Sequence, residues 1–238
     1  MCENDQYGLT WNYREPFFFI PFLSCYGGWV MDDQGRPTLD TEATVKAINF
    51  ILDLRDRYHV IPGESDYDMA EALFTEQRAA SIINGPWAYA GYGASGVRYD
   101  LAPLPQNAET GQWCAPMVST SGYAVNANVE GEKLPHLRDL LVYLTSEEMQ
   151  ERLVEELHLI PSRRSVRASE AVRRDPLLQA MIRQVELGRQ MPLEPQMRQI
   201  WDGMRGPYQL VMNGAVSPEE GARMMQREVE KRINDTFL

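Results

Sequence analysis

The stretch from Phe74 to Trp87 reads Phe-Thr-Glu-Gln-Arg-Ala-Ala-Ser-Ile-Ile-Asn-Gly-Pro-Trp. It sets a large aromatic ring where a ligand can reach it. Ala80, Ile82 and Ile83 predict a short apolar strand, Asn84-Gly85-Pro86 breaks it, and Pro86 opens a helix carrying Trp87. Proline is tolerated at a first helical position because its missing N–H has no helical partner there. The expected geometry is an indole at a helix start above a strand's carboxyl end, the place where α/β sheets bind ligands. Further along, Arg205 lies one helical turn after Trp201, so both can face one side. Tyr67 is a further aromatic candidate, Glu15 a further charge, and Met191 an adaptable apolar group. Flat rings that exclude water, with charged groups nearby to hydrogen-bond polar atoms, are the parts of a recognition site. From the residues alone, Trp201 serves equally well as core, and Glu15 and Arg205 as solvated charges.

Catalytic and cofactor patterns are weaker. Gly91-Tyr-Gly-Ala-Ser-Gly96 satisfies G-x-G-x-x-G, but it follows a helix start rather than a strand. Pro116 stands near the place where a dinucleotide site needs an acidic residue. His59, His136 and His158 are far apart, without metal-ligand spacing, and no G-x-S-x-G elbow occurs. Glu15, Asp66, Asp68 and Asp202 could supply the two carboxylates of a glycosidase, yet no pair has a motif behind it. The expectation is a protein with no cofactor, no metal and no catalytic residue. Asn234-Asp-Thr236 is a formal glycosylation sequon near the chain's last residue.

The 238 residues allow one large or two small domains. An apolar fraction of 44% is that of a globular protein. The formal net charge of −11 argues against nucleic acid and against anionic membranes as partners. The densest apolar patch, Phe17 to Leu23, is far too short to span a bilayer and is broken by Pro21. Cys2, Cys25 and Cys114 are an odd, widely spaced set that supports neither a zinc site nor a disulfide framework, and Cys25 and Cys114, in apolar or aromatic surroundings, are expected to be small buried free thiols.

Along the chain, residues 7–12 and 18–30 read as strand-rich, with a turn at Gly27-Gly28. Asp40 is placed to cap a helix running through Tyr58, and a second helix covers 67–76. Residues 91–96 read as loop. Tyr99 to Pro105 reads as an extended crossing segment, because residues before proline are pushed out of helical geometry. Tyr123 to Asn126 reads as extended, a helix carries Leu137, Leu140, Leu141 and Leu144, and Thr145 with Glu148 suggests a capping box. After Asp175-Pro176 the sequence is helical, with a second capping box at Ser217 to Glu220. Val216, Ala222, Met225, Val229 and Ile233 then form a docking stripe.

Taken in order, these segments resemble the extracellular solute-binding proteins of sugar ABC transporters, and the maltose/maltodextrin-binding proteins in particular. The order Phe, small residues, strand, Asn-Gly-Pro-Trp is similar to that family's signature. Tyr7 to Phe17 resembles the strand and turn that carries a sugar-contacting Glu-Pro-Tyr, here Glu15-Pro16-Phe17. Asp66 to Phe74, Thr145 to Glu148, Ile160 to Arg163 and Met191 to Trp201 resemble further family segments, the last supplying a second sugar-stacking tryptophan. The resemblance implies an α/β, periplasmic-binding-protein-like two-lobe fold of the class II type. It implies a malto-oligosaccharide-like ligand held by Glu15, Pro16, Phe17, Tyr67, Trp87, Met191, Trp201 and Arg205. It also implies ABC permease subunits as partners, an extracytoplasmic location, and a monomer when complete. Phe17 in place of the family's tyrosine keeps the ring and loses a hydroxyl, a difference of roughly 0.5–1.5 kcal/mol in one hydrogen bond.

The resemblance begins with a strand from the middle of such proteins, and Met1 to Gln6 is polar, without the apolar core of a signal peptide. The chain is therefore expected to be truncated at the N-terminus, holding most of the C-lobe and a piece of the N-lobe. Residues 1–104 and 176–238 are assigned to the C-lobe, and 105–175 to the N-lobe. The alternatives are a glycosidase-like enzyme or an inert fragment without binding.

Overall fold

A computed structural model describes residues 5–237, so Cys2 and the polar start of the chain lie outside the described residues. The chain forms two compact units. The larger holds residues up to Tyr99, Leu104–Met117 and Leu187 onward; the smaller holds Asp100–Pro103 and Val118–Glu186. These bounds differ from the expected 105–175 segment. Residues 104–117 stay with the larger unit because a disulfide between Cys25 and Cys114 holds them there. Asp175-Pro176 is a helix start inside the smaller unit: Asp175 Oδ1 accepts from the N–H groups of Leu177 and Leu178.

The disulfide corrects the expectation of free thiols. Spacing along the chain carries no information about a pairing across 89 residues. Hydrogen bonds reinforce the same junction. Ser24 Oγ accepts from Ala115 N–H at 2.8 Å, and Thr110 Oγ1 donates to the Cys25 carbonyl at 2.6 Å.

In the larger unit the expected strands are sparse. Residues 7–10 and 79–82 run parallel, bridged at Tyr7 with Ala79 and at Thr10 with Ile82. Among the described residues the one sheet pairs β1 (Met117–Val118) with β2 (Arg189–Gln190). The stretch read as strand after residue 17 is instead a 3-10 turn, Pro16–Phe19, leading into α1 (Ile20–Cys25). Its aromatic and β-branched residues favour a strand locally. Pro16 and Pro21, however, each occupy the first turn of a helical segment, where their fixed φ fits and their missing N–H costs nothing. Every residue of α1 is buried, so packing overrides propensity.

α2 (Glu42–Leu52) is capped by Thr41, one residue past the expected Asp40, and ends in a π turn, Asp53–Arg57. α3 (Tyr67–Thr75) is capped by Asp66. Pro86–Ala88 form a 3-10 turn that continues into α4 (Tyr89–Ser95). Residues 91–95 are therefore helix rather than loop, with Gly96 as a left-handed cap.

The main core joins Trp11, Phe19, Ile20 and Leu23 to Ile48 and Ile51 of α2 and to the two long C-terminal helices. Those are α10 (Met197–Met212) and α11 (Pro218–Phe237). Ser217 caps α11 as expected, and Ala222, Met225 and Val229 of its stripe are fully buried. The helices approach closely at Gly203, where a Cβ would lie 2.6 Å from Val229 Cγ2 and 3.0 Å from its backbone. Gly203→Ala is expected to lower stability by about 1–3 kcal/mol through overpacking, measured by denaturant unfolding.

Buried phenols add a pH dependence. Burial pushes the Tyr13 and Tyr89 hydroxyls up to about 12, and drives that of fully buried Tyr208 upward as well. A phenol raised above its unfolded value near 10 stabilises the fold fully below pH ~10 and progressively less as pH rises toward about 12. Alkaline unfolding is expected in that window, with tyrosinate absorbance and loss of circular dichroism rising together. Free titration of these tyrosines in a still-folded protein would contradict it.

In the smaller unit, α5 (Lys133–Leu144) precedes α6 (Glu147–Leu157), α7 (Arg164–Arg167), α8 (Glu170–Arg174) and α9 (Pro176–Leu187). Ser146 caps α6 rather than Thr145, whose hydroxyl turns back to the Leu141 carbonyl. Tyr123 to Asn126, expected to be extended, carries no assigned strand. Val154, Val166, Val172, Leu178, Met181 and Ile182 make this unit's buried core.

Candidate functional site

The 3-10 turn at Pro16–Phe19 and the turn at Pro86–Ala88 bring residues far apart in sequence onto one face of the larger unit. Phe17 is half-buried, with its ring centroid 6.3 Å from that of Trp87 and 6.2 Å from that of Trp201. The interplanar angles are 55° and 52°, so three rings join in a stripe with Phe17 in contact with both indoles. Trp87 is 58% exposed, unusual for an indole held in a rigid turn. Trp201 is half-buried and rests partly on the main core.

Rigidity at Trp87 comes from its neighbours. The ring folds over Gly85, where a Cβ would lie 2.2 Å from its six-membered ring, so any larger residue there would have to displace the indole. Asn84 Oδ1 accepts from Gly85 N–H at 2.8 Å. Its amide donates to Glu71 Oε1 at 2.6 Å and approaches the Tyr92 hydroxyl at 2.9 Å. Burial, together with the neighbouring Glu71 carboxylate, pushes the Tyr92 hydroxyl well up and keeps it protonated as a donor to Glu71.

The polar side of the stripe is an ion pair. Arg205 donates from Nε to Glu15 Oε2 at 3.2 Å and from Nη2 to Glu15 Oε1 at 3.0 Å, with Asp202 at 3.6 Å. Hydrogen bonding to Glu15 pushes the Arg205 guanidinium further up from its ordinary value. Both side chains are about a third exposed or more, so the pair contributes little to stability, roughly 0–1 kcal/mol. What it contributes instead is a fixed set of charged donors and acceptors beside three aromatic faces.

Of the eight residues expected at a site, Phe17, Trp87 and Trp201 are joined by ring contacts, and Glu15 and Arg205 by an ion pair. Pro16 is buried as the first residue of its turn. Met191 is half-buried against the main core, and Tyr67 is half-buried in the first turn of α3. The supporting network of Glu71, Asn84 and Tyr92 went unrecognised from sequence, although Asn84 stands within the signature itself. Of the remaining tryptophans, Trp11 is core, Trp29 is buried beneath Arg189 with 4.3 Å from guanidinium carbon to ring centroid, and Trp113 is 38% exposed. No group of three or more metal-ligating side chains occurs among the described residues.

An aromatic stripe with a charged pair, built on turns of a helix-rich α/β unit, combines the apolar faces and few polar groups from which small-molecule sites are made. The chain belongs to the bacterial extracellular solute-binding protein family, which it matches over residues 4–180. It is similar in structure to the maltose/maltodextrin-binding domain MalE from Bdellovibrio bacteriovorus, solved bound to maltotriose. The two are 39% identical with a TM-score of 0.90, over 98% of this chain and 61% of that one. It is 25% identical to a galactooligosaccharide-binding protein of Bacillus subtilis, over 92% of this chain and 54% of the relative. It is 24% identical to a maltotriose-binding protein of Pyrococcus abyssi, over 86% and 45%. The fold is thus part of the two-lobe architecture of maltose-binding proteins, and the chain spans about half the length of the curated relatives it matches. No helix among the described residues is long and apolar enough to cross a membrane.

Proposed function

We propose that the larger unit carries one side of the sugar site of an ABC carbohydrate importer's binding protein, and that its ligand is a malto-oligosaccharide. The stripe Trp87, Phe17 and Trp201, flanked by Glu15 and Arg205, carries this reading. Pyranose rings offer flat C–H faces to indoles and hydroxyls to the ion pair, so each ring contact has a polar contact beside it. Pro16 sets the turn, and Met191 and Tyr67 border the site. The chain acts as a binder rather than a catalyst, a reading supported by relatives that are solute-binding proteins and by the engagement of Glu15 with Arg205. Its permease partners receive the sugar from the extracytoplasmic side.

Phe17 offers no hydroxyl, and one face of the ligand stays wet when only this side is present. Affinity of this chain for maltotriose is therefore expected to be weak, about a hundredfold or more below that of an enclosed site, because three or four hydrogen bonds of roughly 0.5–1.5 kcal/mol are missing. Titration calorimetry with maltotriose, with galactotriose as comparison, tests it. Tight micromolar binding would refute the one-sided site. Equal or stronger binding of galactotriose would refute the sugar assigned.

A further inference from the structure

The turn that carries Trp87 is pinned on both sides by one side chain from another helix. Glu71 stands in the second turn of α3 and is half-buried. Its Oε1 accepts from two neutral donors, Asn84 Nδ2 at 2.6 Å and the Tyr92 hydroxyl at 3.1 Å. Asn84 precedes Trp87, and Tyr92 follows it on α4, so a single carboxylate oxygen ties down the chain before and after the indole. A carboxylate accepts hydrogen bonds and donates none. It therefore admits one orientation of the Asn84 amide, nitrogen inward, which turns Oδ1 toward the Gly85 N–H at 2.8 Å. Gly85 lies directly beneath the ring of Trp87. Constraint thus runs from carboxylate to amide, from amide to peptide, and from peptide to indole.

We infer that Glu71 is a positioning residue of the binding site: by orienting the Asn84 amide and anchoring Tyr92, its carboxylate sets Trp87 in the pose that receives the apolar face of a ligand. An indole that is 58% exposed has little packing of its own to hold it. Any freedom the ring keeps must be given up when a ligand stacks on it, and that loss weakens binding. The carboxylate matters here more than the size of the side chain. A glutamine in its place could present either its oxygen or its amino group to Asn84. The second choice lets Asn84 turn over and release the Gly85 N–H. The effect on sugar affinity rests on the malto-oligosaccharide reading above, whereas the effect on the ring does not. A tie that served only to pack α3 against α4 would show as lost stability with no displacement confined to Trp87.

The test replaces the five tryptophans with fluorotryptophan and reads them by fluorine NMR, the Trp87 line being identified by its loss in Trp87→Phe. In Glu71→Gln the Trp87 line is expected to shift or broaden. The lines of Trp11, Trp29 and Trp113 should keep their places, and the melting temperature should hold. Titrated with maltotriose, the same variant should bind about three- to tenfold more weakly than the unmodified protein. Tyr92→Phe removes one of the two donors and keeps the ring, so it should move the Trp87 line in the same direction. The double variant should do no worse than Glu71→Gln alone, because both substitutions break one clamp. A Trp87 line or a maltotriose affinity left unchanged in Glu71→Gln would overturn the inference. So would displacement of all five lines together with a fall in melting temperature, the mark of a structural role alone. Maltotriose that moved no line of the unmodified protein would instead sink the sugar reading, and a displaced Trp87 line in Glu71→Gln would then still uphold the positioning of the ring.

Discussion

Trp87→Ala combined with Trp201→Ala is expected to abolish measurable maltotriose binding and leave the fold intact. Each indole meets Phe17 at about 6 Å, and Trp87 is more than half exposed while Trp201 is half-buried. Covering an indole face with a pyranose removes apolar area from water at about 25 cal/mol per Å², and ring geometry adds to it. Taken at roughly 1.5 kcal/mol per ring, the pair accounts for about 3 kcal/mol, two decades of affinity. Starting from weak binding, that loss leaves nothing to detect. The fold should tolerate the change unequally: Trp87 contributes little burial, whereas Trp201 rests partly on the main core and its removal should cost some stability. Saturation-transfer NMR reads weak sugar contacts without relying on tryptophan emission. A signal unchanged in the double variant would mean that the sugar lies elsewhere.

Cys25→Ser with Cys114→Ser is expected to destabilise the larger unit by about 2–5 kcal/mol. The bridge closes a loop spanning 89 residues, for which chain entropy alone predicts between 4 and 5 kcal/mol, roughly. In a protein of this size each kcal/mol moves the melting temperature by about 2–4 °C, so a drop of roughly 4–20 °C should follow. The same shift should appear in the unmodified protein under reductant. Because both cysteines belong to the larger unit, hydrogen exchange at α6 to α9 should change least. Calorimetric scans of the variant and of the reduced protein that coincide with the untreated protein would show that the staple carries no stability. The Ser24 and Thr110 hydrogen bonds at the same junction would then be sufficient to hold residues 104–117.

Much of this protein was legible in its residues because the signals are local. Pro86 at a helix start, the Ser217 cap and the buried spacing of Ala222, Met225 and Val229 each express a period or a cap decided within a few positions. The family signature around Asn84 to Trp87 and the Glu15-Pro16-Phe17 turn were legible for the same reason. Other features needed the folded chain. The aromatic and β-branched run from Phe17 to Leu23 favours a strand by propensity, and burial of all of α1 made it a helix. Glu15 and Arg205 stand 190 residues apart, and no spacing rule reaches across that distance. The disulfide likewise depends on two loops meeting, which made an apparently odd set of cysteines into a staple. Residue types and short-range order thus determined which side chains are candidates for a binding site. Long-range packing decided which of them meet, because contacts between distant segments depend on the shape of the core and leave no period in the sequence.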